Sequence, residues 1–336
     1  MPVFYGPVHN RVREDTIVRQ IRFGRSDKLV SAIALGTWAH GGAKTVGRRE
    51  VGWAGHDDAH ARSALVRAFE LGISHWDTAD VYGDGRAERL IGGAWSDVPR
   101  DEVFLASKVG WDPGPFEHAY DPRWIRQRAE RSLDYLETDW IDLYYLHHCS
   151  FGPQNRFLEP AVEELERLRS EGKIRLLGLS DWSCKKLARC ARIMNPDVVQ
   201  AYRNVVDDAY ETSGLKSWVE KHDAGVAFFS PLKHGLLLGK YDKPMQFGSG
   251  DMRNGIPAFR DARALARLRA IRREVESEHS SHPQPVLHAL TGYLLADSPS
   301  ASVLVGQRTP QQAEAASTLG TPLSESEADW VRHAYA

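Results

Sequence analysis

The sequence is poor in cysteine, has no long apolar run and carries no excess of one charge. Its 336 residues include only three cysteines, Cys149, Cys184 and Cys190, and their odd number and spacing suit neither a disulfide framework nor a zinc site. No run approaches the roughly 18 apolar residues that a membrane-spanning helix needs. Lys and Arg total 43 against 45 Asp and Glu, which argues against a dedicated nucleic-acid binder.

The chain also begins without the apolar segment of a secretory signal. Hydrophobic residues make up 42% of the sequence, which is enough to bury a sizeable core and excludes a disordered chain. We therefore expect a cytoplasmic globular protein with no metal site and with neither a membrane nor a nucleic acid as partner.

Short apolar runs alternate with helical stretches along the chain. Several runs are continuously apolar, as expected for a parallel sheet buried on both faces. About eight strand–helix units predict a (β/α)8 barrel, which typically needs about 250 residues. A doubly wound sheet would require a G-x-G-x-x-G turn after the first strand, and residues 36–42 do not match it. The predicted strands are 29–37, 73–77, 103–108, 141–147, 173–180, 197–202, 226–230 and 302–306.

The other segments fit around one barrel domain spanning residues 1–336. Residues 1–15 are expected to be an N-terminal extension, and residues 16–28 a β-hairpin that covers the barrel floor. The polar stretch 240–262 predicts a long loop after the seventh strand. Loops of this length inside a compact domain are usually functional or disordered.

Polar residues stand where three successive strands end, which is where a barrel carries its catalytic groups. Asp77 ends the second predicted strand and Tyr82 follows it, while Lys108 ends the third and His147 the fourth. An ammonium group near a phenol stabilises the phenolate and lowers its pKa from about 10. An aspartate would keep the lysine charged, and a histidine could orient a substrate carbonyl. Tyr82 would then be a general acid in carbonyl reduction and a base in alcohol oxidation, with the hydride supplied by a cofactor.

Each of these residues also has a simpler interpretation. Asp77 could cap a helix, Tyr82 could be a wall aromatic, and Lys108 could form a Schiff base as in an aldolase-like barrel. His147 and the adjacent His148 could be buried hydrogen-bonded histidines or metal ligands. The four residues in this order are far less expected by chance than any one of them.

The sequence resembles the aldo-keto reductase superfamily from about Ile21 to about Glu327. The resemblance implies a (β/α)8 fold, oxidoreductase activity and a catalytic tetrad of Asp77, Tyr82, Lys108 and His147. The motifs that carry it are HWDTADVYGDGRAE (75–88), LASKVG (105–110), IDLYYLHH (141–148), GKIRLLGLSDWS (172–183), FFSPLKHGLLLGKY (228–241) and VGQRTPQQAE (305–314).

The resemblance also implies an extended nicotinamide dinucleotide, NADP(H) rather than NAD(H), with Arg308 pairing a 2′-phosphate. Asp181 and Phe229 stand where the family usually has Asn and Tyr, and Ala316 where it often has an adenine-contacting Asn, so the preference stays open. The implied cofactor residues are Gly36, Thr37, Trp38, Asp77, Ser180, Asp181, Gln200, Phe229, Ser230, Pro231, Leu232, Gly235, Lys240, Gly306, Gln307, Arg308 and Gln312.

The substrate is expected to be an aldehyde, ketone or sugar. Aromatic walls suit apolar carbonyls and sugar faces alike, so the substrate, the reaction direction and the oligomeric state stay open. Two alternative functions remain: a cofactor-binding regulatory barrel of the channel-subunit kind, and a lyase that uses Lys108 as a Schiff base. The candidate substrate residues are Trp38, Trp53, Tyr82, Trp111, His147 and His148, and Asp84, Asp112 and Trp182 are further candidates at the barrel mouth.

Overall fold

An antiparallel hairpin opens the part of the chain that the computed structural model describes, residues 18–336. The expected extension 1–15 and the first residues of the expected hairpin, 16–17, lie outside the described residues. The hairpin pairs Gln20–Arg22 with Leu29–Ser31. The expected boundary at residue 28 is therefore wrong, because the run predicted as one strand over 29–37 divides at Ala32. Its first part pairs with the hairpin, and only its second part enters the barrel.

Eight parallel strands close into a barrel, which confirms the predicted fold class. In the order of the chain, neighbouring strands pair with each other, and the eighth pairs with the first. The strands are β1 Ile33–Gly36, β2 His75–Asp77, β3 Phe104–Val109, β4 Ile141–Leu146, β5 Ile174–Asp181, β6 Val198–Tyr202, β7 Gly225–Phe229 and β8 Ser302–Gly306.

Close packing inside the barrel fixes the register of β4 and β5. Tyr145 lies beside Gly178, and a Cβ atom added at Gly178 would lie 2.2 Å from the Tyr145 ring. Only glycine leaves room for the buried phenol ring there. This contact fixes the position of β4 along the barrel axis, and the last residue of β4 directly precedes His147.

Eleven helices are assigned within residues 18–336. Side-chain caps explain several of their starts, including Asp57 before α1, Asp121 followed by Pro122 at α3, and Ser183 before α5. The helices are α1 Asp58–Glu70, α2 Arg86–Gly92, α3 Pro122–Tyr135, α4 Leu158–Ser170, α5 Cys184–Met194, α6 Ala209–Thr212, α7 Leu215–His222, α8 Ala262–Glu278, α9 Pro285–Ala296, α10 Pro310–Ser317 and α11 Glu325–Tyr335.

The hairpin closes the amino end of the barrel. Phe23 is fully buried and packs edge-on against Phe104 at the start of β3, with ring centroids 5.7 Å apart. Ile21 and Val30 join the same apolar cluster. The cleft described below opens at the other end of the barrel, where the strands finish.

The long loop expected after β7 is present and reaches from the end of that strand to α8. It contains short 3-10 turns at Lys233–Gly235, Met252–Gly255 and Pro257–Arg260. No helix among residues 18–336 is long and apolar enough to cross a membrane.

Candidate active site

A cleft of about 900 Å³ opens at the carboxyl ends of the strands. Its walls come from the loops after β1, β2, β3, β4, β5, β7 and β8, as the barrel rule predicts. The structure brings most of the predicted site residues together here. Those that line the cleft are Gly36, Trp38, Trp53, Asp77, Tyr82, Trp111, His147, Ser180, Gln200, Phe229, Ser230, Pro231, Leu232, Gly235, Lys240, Gly306, Arg308 and Gln312.

Lys108 sits fully buried at the end of β3, beneath the cleft. Its Nζ donates to Asp77 Oδ1 at 2.5 Å, to the Thr78 carbonyl at 2.7 Å and to Tyr82 Oη at 3.4 Å. Asp77 also accepts a bond of 2.7 Å from Gln200 Nε2. The ammonium thus has three fixed partners, one of which is the phenol that faces the cleft.

The protonation of the phenol differs from the expectation drawn from the sequence. Burial, followed by the negative charges of Asp77 and Asp80, raises the pKa of Tyr82 well above its ordinary value. The expectation that Lys108 acidifies the phenol is therefore wrong for this state, because burial, together with the charges of Asp77 and Asp80, raises the pKa of Tyr82. At neutral pH, Tyr82 is a protonated phenol that can donate a proton.

His147 stands beside Tyr82, with the two ring centroids 5.9 Å apart. Burial, with the charge of Lys108, lowers the pKa of His147 well below its ordinary value. Its Nδ1 is buried and finds no hydrogen-bond partner among the described residues. The neutral imidazole lines the cleft and can donate only one hydrogen bond.

Five of the predicted residues do not line the cleft. Lys108 lies beneath it, and Thr37 is buried with its hydroxyl donating to the Asp77 carbonyl at 2.9 Å. Gln307 is fully buried, and its amide has no partner among the described residues. The side chains of the other two, Asp181 and His148, form hydrogen bonds with main-chain groups.

Asp181 and His148 are engaged by the main chain. The Asp181 carboxylate accepts from the amides of Cys149 at 2.6 Å and Ser183 at 2.7 Å. His148 contacts the Gly110 carbonyl through Nε2 at 2.5 Å and accepts from the Ser150 amide through Nδ1 at 3.1 Å. Both side chains therefore fix the loops after β4 and β5 and are not presented to a ligand.

One end of the cleft concentrates positive charge. Lys240 and Arg308 line it. Burial lowers the pKa of both side chains, and repulsion from Arg253 lowers it further. Both cations therefore lie in positive surroundings. The Arg308 guanidinium donates to the carbonyl of Gly55 rather than to an acid. Crowded cations of this kind favour an anionic ligand.

Another group of cleft residues is aromatic. Trp111 and Trp182 line it although 51% and 41% of their surfaces are exposed. Trp38 contacts both Trp53 and Trp182 edge-on. Large exposed indoles at a cleft mouth are typical of ligand contacts rather than of a core.

Part of the cleft rim was not predicted from the sequence: it is a polar segment of the loop after β1. Residues of this segment, Lys44 and Glu50 among them, line the cleft. The Lys44 amide bonds the Gly250 carbonyl at 3.1 Å, and the amide of Met252 bonds the Gly52 carbonyl at 2.9 Å. We call these contacts between 42–54 and 248–254 the rim bridge. No sequence motif marks it, because it depends on backbone pairing between segments about 200 residues apart.

Asp251 anchors the rim bridge. It is fully buried, and its carboxylate accepts from the Ala54 amide at 2.9 Å and from both Nε and Nη2 of Arg253. The Arg253 guanidinium in turn lies 4.5 Å from the Trp53 ring centroid. The bridge therefore ties the loop after β7 to the cleft wall.

The closed parallel barrel carries a lysine–aspartate pair beneath an open cleft. Such an arrangement is typical of a barrel enzyme. The family model described as the aldo/keto reductase family matches residues 32–336. The chain therefore belongs to the aldo/keto reductase family of oxidoreductases.

Individual proteins support this assignment. The aldo-keto reductase YhdN of Bacillus subtilis (strain 168) is 31% identical over 295 residues, covering 86% of this chain and 85% of that protein. The NADH-specific methylglyoxal reductase of Escherichia coli (strain K12) is 28% identical, with 94% of this chain and 98% of that protein covered. A glycerol dehydrogenase structure from Gluconobacter oxydans has a TM-score of 0.76 at 28% identity, with 94% of each chain covered.

Proposed function

We propose that the chain interconverts carbonyl compounds and alcohols with a nicotinamide cofactor, and that Tyr82 transfers the proton. The observation that carries this proposal is the contact of 3.4 Å between Lys108 Nζ and Tyr82 Oη at the base of the cleft. Positioned general acids of this kind contribute about 10²–10⁴-fold to rates.

The raised pKa of Tyr82 suits it to act as the acid in reduction. The phenol keeps its proton at neutral pH until a carbonyl oxygen beside it gains negative charge. Lys108, held by Asp77, then places a fixed positive charge next to the phenolate that remains. His147 can orient the carbonyl oxygen with its single N–H. A nicotinamide held in the cleft would supply the hydride for reduction, or would accept it from an alcohol in the reverse direction.

The described residues fit a dinucleotide. Ser180, Gln200 and Phe229 line the cleft, and so do the cations Lys240 and Arg308. Ser230, which follows Phe229 in the chain, has a backbone φ of 60°, a left-handed conformation that is strained for a residue with a Cβ and recurs at functional sites. We infer that this loop follows the pyrophosphate.

We further propose that the cofactor is NADP(H) rather than NAD(H). The support is Arg308, a guanidinium without an acidic partner among the described residues, and guanidinium groups bind phosphate through two parallel hydrogen bonds. One relative has the opposite preference, since its name describes it as NADH-specific.

Fluorescence titration with NADPH and NADH tests the cofactor. We expect Arg308→Ala to weaken NADPH binding at least tenfold and to leave NADH binding within about twofold, since one charge-assisted phosphate contact contributes about 1.5–3 kcal/mol. Equal affinity of the wild type for both cofactors would refute the NADP(H) preference. Failure of both to bind would refute the function itself.

The mouth of the cleft favours a neutral, hydroxylated carbonyl substrate. Lys44 pairs with Asp84 at 2.6 Å, and two further acids, Asp112 and Glu50, line the same cleft. These four side chains offer several hydrogen bonds to hydroxyl groups and carry no excess positive charge for a phosphate. Trp111 offers a flat face for a sugar ring. A panel of sugars, aryl aldehydes and phosphorylated aldehydes, compared by kcat/KM, tests this choice.

The lyase alternative is disfavoured by Lys108 itself. Its Nζ is fully buried, makes three hydrogen bonds and does not line the cleft, so it is poorly placed to attack a carbonyl. The regulatory alternative predicts cofactor binding without turnover, and the carbonyl panel separates it from the proposed function.

A further inference from the structure

A buried ion pair lies behind the loop that carries Tyr82. Asp80 is 1% exposed and Arg128, on the inner face of α3, is 4% exposed. Arg128 Nε donates to Asp80 Oδ2 at 2.6 Å. Neither residue lines the cleft, although Arg128 Nη1 lies 3.7 Å from the carboxylate of Asp112, which does.

The main chain of Asp80 is held as firmly as its side chain. Its carbonyl accepts from Arg131 Nη2 at 3.1 Å and from Arg128 Nη2 at 3.4 Å. Its amide donates to the Lys108 carbonyl at 3.2 Å. Asp80 therefore joins α3 to the backbone of Lys108, and it stands two residues before Tyr82 in the chain.

An ion pair is an inefficient way to stabilise a core. Desolvation offsets most of the attraction in buried pairs, and well-packed apolar residues are often as stable. A directional pair does fix one arrangement of the groups that it joins. The distance between Tyr82 Oη and Lys108 Nζ is such an arrangement, and misplacement by about 1 Å can cost a reaction about 10²-fold.

We propose that Asp80 and Arg128 are positioning residues that hold the phenol of Tyr82 against Lys108. This inference rests on the proposed role of Tyr82 as proton donor. It assigns to α3, outside the cleft, a part in setting the rate of the chemical step.

Asp80→Asn tests the inference, with Asp142→Asn as a matched control. Asp142 also forms a little-exposed pair, with Arg100 at 2.9 Å, but at the amino end of β4, away from Tyr82. We expect Asp80→Asn to lower kcat about 100-fold, with KM and NADPH affinity within about threefold of the wild type. Asp142→Asn is expected to lower the melting temperature and to keep kcat within about threefold.

A double variant separates positioning from general loosening of the fold. If Asp80 acts through Tyr82, adding Asp80→Asn to Tyr82→Phe leaves the residual rate unchanged within about twofold. Multiplicative losses, or an equal loss of kcat in Asp80→Asn and Asp142→Asn, would overturn the inference.

Arg128→Lys decides the matter if Asp80→Asn does not fold. It keeps the positive charge but loses the second arm that reaches the Asp80 carbonyl, so kcat is expected to fall. An unchanged kcat would overturn the inference. A wild-type rate in Tyr82→Phe would instead refute the proposed function, which keeps the two failures distinguishable.

Discussion

The buried carboxyl of Glu88 is predicted to make the protein less stable as the pH rises. Glu88 is fully buried on α2, and only Oε1 is paired, with the Ser107 hydroxyl at 2.7 Å. Oε2 has no partner among the described residues. Burial, followed by the charge of Asp80, raises the pKa of Glu88 from 4.5 to about 7. The folded chain thus binds a proton that the unfolded chain has already released.

The sign and size of this effect follow from proton linkage. Between pH 4.5 and 7 the folded state holds more protons than the unfolded state, so the free energy of unfolding falls as the pH rises. At about 1.4 kcal/mol per pH unit, the loss is under about 1 kcal/mol at pH 5 and about 3 kcal/mol at pH 8. Glu88→Gln removes the ionisable group and keeps an oxygen for Ser107. The stability of the variant relative to that of the wild type should therefore increase as the pH rises.

Thermal unfolding at pH 5 and pH 8 measures this gain. We expect Glu88→Gln to melt within about 2 °C of the wild type at pH 5 and about 5 °C above it at pH 8. Glu164→Gln is the matched control, because Glu164 is also buried but accepts from Arg126 at 2.7 Å and from Arg167 at 3.0 Å. That variant should lose stability at pH 8. A difference between Glu88→Gln and the wild type that does not change with pH would refute the reasoning.

Two further predictions concern the cleft. Trp111→Ala should raise KM for sugars about two- to tenfold, since an aromatic stacking contact contributes about 0.5–1.5 kcal/mol. The control Ile193→Ala, at an exposed apolar residue outside the cleft, should leave KM unchanged. An equal KM in the two variants would contradict the substrate assignment. Asp251→Asn should loosen the rim bridge, so that limited proteolysis within 240–262 becomes faster without cofactor and slows when NADPH is saturating. Cleavage that is the same with and without cofactor would contradict a role for this loop in covering the pyrophosphate.

The sequence predicts the barrel and the strand ends well because both depend on local patterns. Asp77, Lys108 and His147 are found by counting to the ends of apolar runs, and seven of the eight predicted strands match the structure within about two residues. The hairpin boundary fails because Leu29–Ser31 and Ile33–Gly36 form one apolar run, and only their pairing partners separate them.

Side-chain direction and electrostatics are what the sequence could not supply. Asp181 and His148 stand at strand ends, as the sequence predicts, but their side chains form hydrogen bonds with main-chain groups of neighbouring loops. The raised pKa of Tyr82 depends on burial and on the negative charges of Asp77 and Asp80. None of these effects has a signature in residue spacing, because each depends on which atoms the folded loops bring together.

Transfer of a proton by Tyr82 is tested most directly in a single turnover of Tyr82→Phe. The enzyme is mixed in excess over NADPH with a saturating carbonyl substrate, and the absorbance of the reduced nicotinamide is followed after fluorescence has shown that the variant binds the cofactor. The account predicts NADPH affinity within about threefold of the wild type and oxidation slower by about 10²–10⁴-fold. Oxidation at the wild-type rate would contradict it.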